Sequence, residues 1–128
     1  MDTITSENAP AAVGPYSQAI RAGDFLFCSG QIGLDPHTKM LAGKDIRAQT
    51  VQVFKNIRAV LNAAGLDLKD TVKTTVFLKS MDDFPIVNDI YGREMGGHRP
   101  ARSTVEVARL PLNALIEIEC IAASNIQG

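Results

Sequence analysis

Arg102 and Glu117 lie in one stretch, Pro100 to Ala123, with the sequence PARSTVEVARLPLNALIEIECIAA. A guanidinium grips a carboxylate through two parallel hydrogen bonds. A neighbouring glutamate can orient or deprotonate a water. Together they suit a small site for a ligand that carries a carboxylate. The same two residues on a solvated sheet face would form an ordinary ion pair, worth little to stability. At the level of pattern both readings stand. Tyr16 emerges just after the turn Gly14-Pro15, and Ser29-Gly30-Gln31-Ile32-Gly33 closes an apolar run. Gly30 and Gly33 there allow either a close approach of backbone to a ligand or partner, or a simple bend.

Other chemistries find little support. No GK[ST] phosphate loop occurs, and Gly92, Gly96 and Gly97 do not form a dinucleotide fingerprint. His37 and His98 are far apart and lack Cys or carboxylate neighbours at ligand spacing, so no metal site is expected. Ser17, Ser29 and Ser103 have no nearby His in the chain. Cys28 and Cys120 sit in apolar, strand-like runs, as core thiols do. Arg93, Arg99, Arg102 and Arg109 form a loose basic group, mostly solvated surface.

The elements that must carry these residues follow from periodicity. Arg102–Val107 and Leu115–Ala122 alternate as strands. Paired antiparallel with apolar faces together, they would set Arg102 on the face of Glu117. Ala19–Ala22 and Phe25–Ser29 read as a hairpin around Gly23-Asp24, and Phe25 to Cys28 as a strand covered on both faces. Ile4 begins a short edge strand. Asp45 is a good N-cap for a helix whose Thr50, Val53, Phe54, Ile57, Val60, Leu61 and Ala64 share one face. Arg47, Gln52, Lys55, Asn56 and Asn62 lie mostly elsewhere, and Gly65 is a left-handed stop. Thr71–Leu78 is β-branched, with Val72, Thr74, Val76 and Leu78 on one face. Asp82 or Asp83 caps a second helix, with Pro85 in its first turn and Phe84, Val87, Tyr91 and Met95 as its stripe. Gly96-Gly97 ends it.

This order predicts an α+β sandwich, one mixed sheet with both helices on one face, in a single domain over residues 1–128. The other sheet face would carry Arg102, Thr104, Glu106, Glu117, Glu119 and Lys73 mixed with Phe77 and Ile121. A face so mixed calls for cover by other subunits, hence a homo-oligomer. The chain has 128 residues, 45% hydrophobic and 21% charged, with net charge −1. That suits one core and offers no general basic footprint for nucleic acid. No apolar run is long enough to span a bilayer, and Met1 to Pro10 lacks a secretory pattern. A reduced, cytoplasmic protein is the simpler reading of its two cysteines, and a single disulfide is the alternative.

Several separated motifs, in order, resemble the Rid (YjgF) family of reactive intermediate deaminases. They are Gly14-Pro15-Tyr16-Ser17-Gln18-Ala19, Ser29-Gly30-Gln31, the helix centred on Asn56, Asp83-Phe84 with Val87-Asn88, and Pro100-Ala101-Arg102-Ser103. Val105-Glu106-Val107-Ala108-Arg109-Leu110-Pro111 and Ile116-Glu117-Ile118-Glu119 complete the set. The resemblance implies a chorismate-mutase-like trimer with sites between subunits. It also implies hydrolysis of 2-imino acids and enamines such as 2-aminoacrylate to 2-keto acids and ammonia, without a cofactor. By position, Arg102 would bind the substrate carboxylate and Glu117 would handle the water. Tyr16, Ser29 and Gly30 would line the pocket, and Asn88 lies near it. Thr104 stands where many active members carry Cys, and Gly96-Gly97-His98-Arg99 is a few residues shorter than usual. The alternatives are a ketoacid-binding or regulatory module without turnover, an RNA-directed translation inhibitor, and a chaperone. Near-neutral charge, no stacking platform and no histidine pair speak against RNA.

Overall fold

The computed structural model describes residues 1–124. The strands are β1 (Asp2–Ile4), β2 (Ala19–Ala22), β3 (Phe25–Ile32), β4 (Thr71–Leu78), β5 (Ala101–Glu106) and β6 (Ile116–Ala123). The helices are α1 (Ile46–Ala63) and α2 (Phe84–Met95). The strands form one sheet in the order β1-β2-β3-β6-β4-β5. The β4–β5 pair is parallel and the others are antiparallel. Both helices cover one face, giving the mixed α+β, chorismate-mutase-like fold.

The helices form where the periodicity places them. The Asp45 side chain accepts from the Ala48 amide at 2.8 Å and starts α1. Gly65, at φ +78°, follows the helix in a left-handed conformation. Asp83 holds the N-cap position of α2 but makes no side-chain capping bond; Ser80 caps the turn before it. Asn56 departs from expectation. It is fully buried, and its Nδ2 donates to the carbonyls of Ile32 and Leu34 at 3.1 and 2.9 Å. The amide belongs to the core face because it serves backbone acceptors where β3 ends.

The two C-terminal strands do not pair with each other. β4 lies between them, with β6 on one edge and β5 on the other. The crossover through α2 makes β5 parallel to β4, as a helical connection of this kind does. β6, whose Ile116, Ile118, Cys120 and Ala122 are all buried, takes the centre of the sheet. No residue of β5 is fully buried, and it forms the edge.

This topology also reassigns the faces. Thr74 lies opposite both Arg102 and Cys120, while Phe77 lies opposite both Val105 and Glu117. Thr74 and Cys120 are buried beneath the helices. Arg102, Thr104 and Glu106 therefore belong to the helix side, not to the open face. The open face instead carries Ser103 and Val105 beside Glu117, Glu119, Lys73, Phe77 and Ile121. Val72 also leaves its expected face. A bulge between Thr71 and Lys73 interrupts the alternation and leaves it 42% exposed. Within one chain β3 is covered on one side only, with Phe25 and Phe27 each 47% exposed on the open face.

Candidate active site

The predicted residues gather in two groups. The first is built where β5 passes under α2. Arg102 is half-buried, and its guanidinium lies 4.7 Å from the Tyr91 ring centroid and 5.4 Å from that of Phe84. Its Nη1 donates to Asn88 Oδ1 at 2.9 Å. Thr104 sits two residues along the same strand face. The ion pairs among the described residues are made by Arg58 and Arg93, and none involves Arg102. A half-buried cation held by rings and a neutral amide keeps its charge available for an anionic ligand.

The second group lies on the open face, at a bulge in β3 between Cys28 and Gln31. A Cβ on Gly30 would come within 1.9 Å of Glu117 Oε2, so the missing side chain is what admits the carboxylate. Gly30 sits in that bulge, which is the bend of the two readings, and what approaches it is a side chain of its own chain rather than a ligand or partner. Gly33 admits the α1 backbone in the same way, with the Gln49 carbonyl oxygen 2.6 Å from a hypothetical Cβ. Burial pushes the Glu117 carboxyl above its ordinary pKa, and the neighbouring Glu119 charge adds to this. Ser29 Oγ donates to the Ser17 carbonyl at 2.6 Å, tying the Tyr16 turn to the same bulge. Tyr16 itself is 55% exposed.

Arg102 and Glu117 are not brought together within one chain. They point from opposite faces of the sheet, with β4 between their strands. Two strand spacings, about 9.6 Å, separate them laterally. Two cavities lie elsewhere, each lined in part by α1. One, of about 450 Å³, is lined by residues including Arg47, Lys55 and Arg93, and another, of about 640 Å³, lies beneath Thr5–Asn8. Neither touches Arg102 or Glu117.

Three contributors escaped sequence reasoning. Phe84 and Tyr91 read as core stripe, although their spacing with Asn88 puts all three on one side of α2. Gln18, 3% exposed, accepts from the Ser6 amide and donates to the carbonyls of Ser6 and Pro10, pinning the N-terminal segment beside the Tyr16 turn. Its place in the Gly14–Ala19 motif is its only signal in the sequence. Among the described residues no cluster of three or more His, Cys, Asp or Glu could hold a metal ion. The His98 ring is bonded to the Thr71 carbonyl at 2.6 Å. No helix among them is long and apolar enough to cross a membrane.

Residues 6–124 match the family model described as Endoribonuclease L-PSP. RutC family protein PH0854 of Pyrococcus horikoshii is 54% identical over 121 residues, covering 94% of this chain and 96% of that protein. The 2-iminobutanoate/2-iminopropanoate deaminase of Salmonella typhimurium is 50% identical over 123 residues, covering 94% and 95%. The crystal structure of E. coli TdcF with bound serine aligns with a TM-score of 0.92 at 38% identity, covering 96% of this chain and 98% of that one.

Proposed function

The chain belongs to the Rid (YjgF, RutC) family, and from that membership we propose that it hydrolyses 2-imino acids and their enamine tautomers to 2-keto acids and ammonia. 2-Aminoacrylate and 2-iminopropanoate are the expected substrates. The observation that carries the reading is Arg102, a half-buried guanidinium with ring and amide support and no acidic partner among the described residues. Such a group suits the carboxylate common to substrate and product. The E. coli relative holds serine, a small amino acid, and the Salmonella typhimurium relative is a deaminase by name.

The chemistry asks little of the protein. An enamine first takes a proton at C3 and becomes the imine. The protonated imine carbon is electrophilic, so binding and water placement are the main tasks. Glu117 accepts a proton as the water oxygen bonds to C2. It returns that proton to nitrogen and takes the hydroxyl proton as the C2–N bond breaks, so ammonia leaves and the ketone forms. Tyr16, Ser29 and the Gly30 backbone shape the imine end, while Asn88 and Thr104 line the carboxylate end. Because Arg102 and Glu117 face opposite ways, one substrate meets both only between subunits, in a homotrimer.

The test is ammonia and ketoacid release from 2-aminoacrylate generated in situ. Losing a desolvated charge-assisted pair costs about 2–5 kcal/mol at interfaces. Arg102→Ala should therefore lower kcat/KM at least about thirtyfold. Arg102→Lys should restore little, since an ammonium lacks the planar fork. RNA cleavage, which the description of the matching model would suggest, is assayed on the same preparation. RNA cleavage without ketoacid release, or ketoacid binding without turnover, would sink the deaminase reading.

A further inference from the structure

We propose that Tyr91 is a positioning residue for Arg102, and that α2 presents Phe84, Asn88 and Tyr91 as a cradle that presets the guanidinium for a carboxylate. The proposal rests on the deaminase reading and adds to it a residue one layer behind the substrate. An arginine side chain has many rotamers, and ordering it on binding costs affinity. A guanidinium stacked on aromatic faces and bonded at one end is already ordered.

Tyr91 is itself fixed from the core. It is 7% exposed, and its hydroxyl lies 2.7 Å from Thr74 Oγ1. Thr74 is the β4 residue directly opposite Arg102, so strand register and ring position are tied together. From the other side the Phe54 ring of α1 meets Tyr91 edge to face, with centroids 5.7 Å apart at 80°. The cradle thus links the α1 core, through Tyr91, to the arginine. The hydrogen-bond acceptor it offers is the neutral Asn88 amide. A carboxylate there would neutralise Arg102 and compete with the ligand.

Tyr91→Leu, which removes the ring face, should raise KM for the imino acid and Kd for the ketoacid about tenfold. Its kcat should stay within about twofold, because the contact serves ground state and transition state alike. Tyr91→Phe keeps the ring and should recover most of that loss. If Tyr91→Leu does not fold, the wild-type trimer answers by NMR. Stacking predicts an upfield ring-current shift of the Arg102 Nε proton, and an unshifted proton would overturn the proposal. So would a Tyr91→Leu enzyme with unchanged KM, or one in which kcat and melting temperature fall while KM holds. Arg102→Ala separates the two levels. If it is inactive while Tyr91→Leu binds normally, only the positioning role fails. If Arg102→Ala is fully active, the deaminase reading fails with it.

Discussion

Glu117 must be ionised to take a proton from water, yet burial and Glu119 both hold its pKa up. As the general base it would shift the acid limb of the rate profile upward from the ordinary carboxylate value. Glu119→Gln removes the second cause and should move that limb to lower pH; an unmoved limb would separate Glu117 from the rate. The same shift bears on stability. Between the unfolded pKa and the raised folded one, the native state binds more protons, so stability falls as pH rises through that window. Glu117→Gln has no such charge to bury. It should slow turnover while the melting temperature at neutral pH holds or rises, whereas a joint fall would mark Glu117 as structural. Gly30 offers an independent check. The methyl of Gly30→Ala would meet the movable end of the Glu117 side chain, so activity should drop in a protein that still folds.

Elements were legible wherever a period declares itself. The α1 stripe, Asp45 and the full span of β4 stand where the spacing predicts. Pairing was less legible, because alternation within Arg102–Val107 and Leu115–Ala122 does not say that β4 comes between them. Alternation is also silent on which set turns inward. The rule of apolar inside would choose Val105, but β5 is an edge strand and turns Arg102 inward beneath α2. Of the site, Arg102 and Glu117 were visible as residue types, while their opposition across the sheet and the Tyr91 support needed register and packing. Asn56 shows the same blindness, since an amide on a helix reads as surface until its acceptors are known. Asn56→Leu keeps the branched outline of the side chain but leaves the Ile32 and Leu34 carbonyls without that donor. An unsatisfied buried group costs about 1–3 kcal/mol, which is several degrees in melting temperature for a domain of this size. Asn62→Leu, on the exposed side of the same helix, should stay within about 0.5 kcal/mol. Equal effects at the two positions would remove the buried amide's special role.

At the scale of the whole molecule, the open sheet face is where the chain is unfinished. Phe25 and Phe27 are each 47% exposed there, and Val105 is 42% exposed. A second copy would cover them and bring Glu117 toward another subunit's Arg102. Light scattering should therefore find a trimer at micromolar concentration. A sharper experiment uses the two halves of the site directly. An Arg102→Ala chain and a Glu117→Gln chain should each be nearly inactive on their own. Unfolded together and refolded at equal ratio, they mix at random. If the site is shared, each one in a closed ring would draw Arg102 from one subunit and Glu117 from its neighbour. Each contribution is intact half of the time, so about one quarter of the sites should be whole. Turnover should recover to about one quarter of the wild-type value after co-refolding, and not after mere mixing of assembled trimers. If Arg102 and Glu117 served a substrate from the same chain, no combination of subunits could rebuild a site. Absence of recovery in verified mixed trimers would thus refute the shared site, leaving the single-chain geometry to be explained by another role for Glu117.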